Sequence, residues 1–142
     1  MVFMSGTSVL SCDEINNTIN GTWVSEDGNE MIFNNGNYVS STNNLNGKGT
    51  YTTCGDKIYI LTTHLYGTFN IEEPDSRWYT IKELAAIWGY DYDYENNSLT
   101  YTFEDDRIDS INFKVIGSYF VNDNNLTLVI LNESIIYTKG IN

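Results

Sequence analysis

Gly49-Thr50-Tyr51-Thr52-Thr53-Cys54-Gly55-Asp56-Lys57-Ile58-Tyr59-Ile60 and Gly117-Ser118-Tyr119-Phe120-Val121-Asn122-Asp123-Asn124-Asn125-Leu126-Thr127-Leu128 align without a gap. Each runs glycine, hydroxyl residue, tyrosine, polar turn, then an apolar alternation. A third copy, looser by one residue, begins at Gly21-Thr22-Trp23, turns at Glu26–Asn29 and continues through Glu30-Met31-Ile32-Phe33. Short strands meeting at an Asp/Asn/Gly turn that tolerates positive φ read as β-hairpins. Period-2 alternation in Leu126–Leu131 puts Leu126, Leu128 and Ile130 on one face, with Ile58, Ile60 and Thr62 as their counterparts.

Working outward, further strands fit around Tyr38–Thr42, Leu99–Phe103, Ile111–Val115 and Ile135–Thr138. About eight to ten short strands with close turn signals indicate an all-β chain. Sequential hairpins favour an up-and-down antiparallel β-barrel of about eight strands, whose closure removes the exposed edges. One helix interrupts the pattern near 80–88. Thr80-Ile81-Lys82-Glu83 is a capping box, Ile81, Leu84, Ala85 and Trp88 follow at helical spacing, and Gly89 is a stop signal. So short a helix needs a sheet to pack on, with an open barrel end as the expected place.

The chain has 142 residues, enough for one domain. Nineteen acidic against seven basic residues give a net charge of −12. That balance argues against nucleic acid, whose phosphates need Lys and Arg, and against docking on anionic headgroups. It is the charge of a soluble monomer. Residues 1–19 read as a signal-peptide remnant or tether, and residues 20–142 as the barrel with its inserted helix. Met1–Cys12 is apolar and uncharged, too short to span a membrane. Its tail, Val9-Leu10-Ser11-Cys12, resembles a relaxed bacterial lipobox, which would make Cys12 a lipidated first residue and place the protein in the cell envelope or outside the cell. The alternative is an ordinary N-terminus. Cys12 and Cys54 could also pair in an oxidising compartment, although spacing alone does not decide it.

Chemistry-bearing motifs are sparse. The single histidine, His64, has no Cys or carboxylate at ligand spacing. No nucleophile elbow, Walker loop or dinucleotide fingerprint occurs. Asp91–Asn97 superficially resembles a calcium loop but has Asn96 where glycine is required and Thr102 where a bidentate glutamate is required. No enzyme activity, metal or cofactor is therefore expected.

Gly21-Thr22-Trp23 resembles the Gly-x-Trp signature of the calycins, the superfamily of lipocalins and avidins. With Gly49–Tyr51, Arg77–Thr80 leading into Glu83-Leu84, and Tyr137–Lys139, the chain is similar to small bacterial lipocalin-like proteins, often lipoproteins. That resemblance implies a lipocalin-like barrel and a basic residue, Lys139, over the signature Trp23. It does not extend to the aromatic set that encloses biotin in avidins. The implied function is a non-enzymatic binding module with a small apolar or amphipathic ligand in the barrel lumen, which needs roughly 300 Å³ or more. Strand parity carries that face from Thr62 to His64 and Tyr66, where it either continues the lumen or emerges into solvent. Trp78 and Trp88 flank the helix, and Tyr101 and Phe103 lie on a neighbouring strand. Thr62, His64, Tyr66, Trp78, Trp88, Tyr101 and Phe103 are thus the expected ligand-binding residues. The alternative function is a cell-envelope protein–protein interaction domain with a filled barrel.

Overall fold

The computed structural model describes residues 16–42 and 45–140. Among the described residues, a 3-10 turn, Asn17–Ile19, precedes twelve strands: β1 (Gly21–Ser25), β2 (Glu30–Asn34), β3 (Asn37–Ser41), β4 (Asn46–Cys54), β5 (Lys57–Gly67), β6 (Arg77–Thr80), β7 (Asp91–Asp93), β8 (Ser98–Thr102), β9 (Ile108–Asn112), β10 (Lys114–Asn122), β11 (Asn125–Ile130) and β12 (Glu133–Lys139). The helix α1 (Ile81–Trp88) lies between β6 and β7. Eight strands close an antiparallel barrel in the order β1-β2-β3-β4-β5-β10-β11-β12, with β12 returning to β1. This barrel is compatible with a lipocalin-like fold. β6 adds to the far half of β5, and β7, β8 and β9 form a separate three-stranded sheet.

The three repeat units are the hairpins β1–β2, β4–β5 and β10–β11. Their inward residues converge as the parity requires. Trp23, Phe33, Tyr38, Tyr51, Tyr119 and Tyr137 meet Ile58, Ile60, Leu126 and Leu128 in one buried cluster. Each fully buried large apolar side chain contributes about 1.5–3 kcal/mol. Ile19, from the 3-10 turn, joins this cluster and accepts the indole N–H of Trp23 on its carbonyl at 2.8 Å. The barrel interior is therefore occupied by side chains, the outcome that a narrow eight-stranded barrel permits.

Lys139 lies over Trp23, with Nζ 4.5 Å from the ring centroid, and donates to the Asn20 carbonyl at 2.7 Å. Gly21 has φ +131°, a backbone conformation that favours glycine, and a Cβ there would displace the end of the Lys139 side chain. The Gly-x-Trp spacing thus has a local physical reason.

One strand corrects the face assignment made from parity. Gly49 pairs with Thr62 while Lys48 pairs with His64, so Thr63 is an extra residue on β5. This β-bulge reverses the alternation beyond it. Leu65, not His64 or Tyr66, takes the buried side, next to Gly47 and Thr62. Gly49 is the enabling residue, since a Cβ on it would stand 1.8 Å from the Leu61 carbonyl oxygen. Past the bulge, β5 keeps its pairing with β4 and takes β6 in place of β10 on its other edge. Leu65 and Tyr79 there join Ile81, Leu84, Ala85 and Leu99 in a second buried cluster beneath α1 and the small sheet. The strand expected at Ile111–Val115 is likewise divided, at Phe113, between β9 and β10. Phe113 donates its N–H to the Asn97 carbonyl, and its own carbonyl accepts from Thr62 N–H.

Gly49→Ala is expected to cost about 2–3 kcal/mol or more, because the new methyl meets backbone. Gly47→Ala, where the nearest atoms are side-chain atoms at 3.4 Å, serves as the control on the same strand. Urea unfolding of the two variants checks this; equal midpoints would refute the close-approach account.

Burial raises the phenol pKa of Tyr38, Tyr51 and Tyr137 above the ordinary value. For Tyr38, a hydrogen bond with Thr62 opposes part of that rise. A raised folded-state value means the protecting contribution is fully present below about pH 10, where an unfolded tyrosine ionises, and is lost as pH climbs through the folded-state values. Phenolate absorbance should therefore show a late fraction of tyrosines that ionise together with the loss of near-UV circular dichroism.

Candidate functional site

A cleft of about 540 Å³ lies on the outside of the barrel wall, where β5 parts from β10. Its floor follows from strand register. Thr50, Leu61 and Lys114 are aligned across β4, β5 and β10, and Thr52 and Tyr59 stand beside them on the same face. Their neighbours Tyr51, Ile58 and Ile60 point the other way, into the core. The stretch Ile58-Tyr59-Ile60-Leu61 is apolar on both faces: Ile58 and Ile60 face the core, while the half-buried Tyr59 and Leu61 line the cleft.

Two elements build the opposite wall. The first is the start of α1, where Thr80, Ile81 and Lys82 face the cleft. Thr80 N–H donates to Glu83 Oε1 at 2.9 Å and Glu83 N–H donates to Thr80 Oγ1 at 3.1 Å, completing the expected capping box. The Glu83 carboxyl is held below the usual carboxylate range, first by the Thr80 N–H and then by Arg77, whose Nη2 lies 3.1 Å away. The second is the β7–β8 turn, carrying Tyr92, Tyr94, Glu95 and Asn97. Asp93 fixes that turn by accepting from the N–H groups of Glu95 and Asn96 and from Asn96 Nδ2, which also holds its carboxyl below the usual range. The acidic run expected to resemble a calcium loop thus caps its own turn. Asn97 Nδ2 donates to the Thr62 carbonyl at 2.8 Å and ties the turn to the bulged strand.

None of the seven residues expected to bind ligand lines this cleft. Thr62 points into the barrel end, where its hydroxyl meets Tyr38. His64 Nδ1 lies 2.8 Å from Thr63 Oγ1. Tyr66 and Trp78 stack edge-on at 5.3 Å on the outer face, with Lys48 Nζ 4.3 Å from the Trp78 ring centroid. Trp88 packs against Phe69 and Tyr90 beside the second core. Tyr101 and Phe103 contact each other at 4.8 Å, and Arg107 covers Phe103. The expected set is therefore distributed over three places. The signal that could have found the cleft is the unbroken apolar run Ile58–Leu61, which gives the strand an apolar outer face as well as an inner one.

Cys54, at the end of β4, is disulfide-bonded. Cys12, the expected lipidation site, lies outside the described residues, as does most of the tether. No helix among the described residues is long and apolar enough to cross a membrane.

Asn97→Asp replaces the amide donor with an acceptor and leaves two oxygens facing the Thr62 region. The expected cost is about 1–3 kcal/mol, confined to the small sheet. Hydrogen exchange should show faster opening of residues 91–102 with barrel amides unchanged; uniform loosening would contradict the assigned tie.

Comparison with known proteins finds no matching family model, no matching curated protein and no matching solved structure.

Proposed function

We propose that this chain is a non-enzymatic, lipocalin-like binding module that takes a small apolar or amphipathic ligand in the cleft beside the barrel, not in the barrel lumen. The observation that carries this reading is the pairing of a barrel interior packed with aromatic side chains and a cleft of about 540 Å³ on its outer wall. A site of that size with Leu61, Ile81, Tyr59, Tyr92 and Tyr94 on its walls suits a ligand with an apolar body. The module acts as a monomer, in the cell envelope or outside the cell, and needs no cofactor. The disulfide at Cys54 favours such an oxidising compartment.

A second reading, a cell-envelope protein–protein interaction domain with a filled barrel, is favoured by one surface feature. Phe120, Thr127 and Ile136 form a row across β10, β11 and β12, and Phe120 and Ile136 are 65% and 61% exposed.

The test is titration with N-phenyl-1-naphthylamine, an uncharged apolar fluorophore. Saturable one-to-one binding is expected in the unsubstituted protein, weakened about tenfold or more by Thr50→Trp, which fills the cleft from its exposed floor, and unchanged by Phe120→Ala. Binding that survives Thr50→Trp, or no saturable binding, would overturn the cleft reading. Loss with Phe120→Ala alone would favour the second.

A further inference from the structure

The seven basic residues of this strongly acidic chain divide by what they touch. Lys48 covers Trp78, Lys57 donates to Ser118, Arg77 pairs with Glu73 and Glu83, Arg107 pairs with Asp105, and Lys139 is held between Trp23 and Asn20. The two that remain, Lys82 and Lys114, have no hydrogen bond or ion pair from their ammonium groups among the described residues, and both line the cleft. They enter it from separate directions. Lys114 stands on the floor, opposite Leu61 in register, and Lys82 is in the first turn of α1. The same cleft is lined by the apolar and aromatic side chains of Leu61, Tyr59 and Tyr92.

From this placement we infer that the cleft selects amphipathic anions: molecules with an aromatic or aliphatic body and a carboxylate, sulfonate or phosphate head held by Lys82 and Lys114. The inference rests on the cleft being the binding site and adds the charge of its ligand. With net charge −12, the field of the whole protein repels anions. An anion therefore binds only where local positive charge is close and not already neutralised. Two unneutralised ammonium groups at one cleft meet that condition. Glu95, the one carboxylate among the lining residues, repels an anionic head from the turn side of the cleft. An ammonium on a flexible stem suits a compact anionic head without demanding one fixed geometry. The apolar body supplies affinity and the charge pair supplies selection, since charged hydrogen bonds gain most where water is partly excluded.

The experiment compares 1-anilinonaphthalene-8-sulfonate with N-phenyl-1-naphthylamine, which share one ring body and differ in the sulfonate. The sulfonate is expected to bind the unsubstituted protein about tenfold more tightly than its uncharged parent, and to weaken as salt is raised while the parent does not. Lys82→Gln/Lys114→Gln should remove that preference, with affinity for the uncharged parent held within about twofold. Retained parent binding also shows that the double variant is folded. Equal affinity of the two probes for the unsubstituted protein, or a preference that survives the double variant, overturns the anion inference while leaving the cleft intact. Failure of both probes, or binding of both that is insensitive to Thr50→Trp, overturns the cleft reading itself.

Discussion

The contact between Gly49 and the backbone of Leu61–Thr63 organises this molecule. A residue with a side chain at 49 would collide with the Leu61 carbonyl, so only glycine lets the two strands approach closely enough to accommodate Thr63 as an extra residue. That single insertion reverses which side chains of β5 face inward, at the point where the strand exchanges β10 for β6 on one edge. One half of β5 then closes the barrel with β10, and the other carries β6, the helix and the three-stranded sheet. The space left where these two halves part is the cleft. Fold and candidate site therefore have a common origin in one missing Cβ.

The packing on the two sides of the wall explains why the candidate site is outside it. A barrel of eight strands is narrow, and six aromatic side chains take up its interior together with aliphatic neighbours from the same hairpins. Burial raises the pKa of three of those phenols, which fits an interior that excludes water. The inserted unit has its own core around Leu84, Ala85 and Leu99. Two independently packed bodies meeting along a bent strand leave a recess between them, and recesses between packed units are common places for ligands.

Electrostatics refines that geometry. In a chain with few cations, most are committed to rings, hydroxyls, carbonyls or nearby carboxylates. The two left over share a recess with tyrosines. A globally acidic surface surrounding a locally basic recess favours discrimination by charge, because the field penalises anions everywhere else on the surface.

The sequence by itself determined the hairpins, the strand-rich class, the closed barrel and the helix boundary. These depend on neighbours in the chain: turn residues at Cys54–Lys57 and Asn122–Asn125, alternation at Leu126–Ile130, and the reciprocal Thr80/Glu83 cap. The lysine over Trp23 was legible through resemblance, and Gly21 supplies its local reason. Tertiary structure alone decided the bulge at Thr63, and with it the orientation of His64 and Tyr66, because that bulge needs two strands to approach across Gly49. It also decided that the lumen is filled, since parity gives a side chain's direction but not the room available to it. Finally, it brought Lys82 and Lys114, thirty-two positions apart, to one recess, because the distance between them is set by how the inserted unit docks on the wall and by no pattern along the chain.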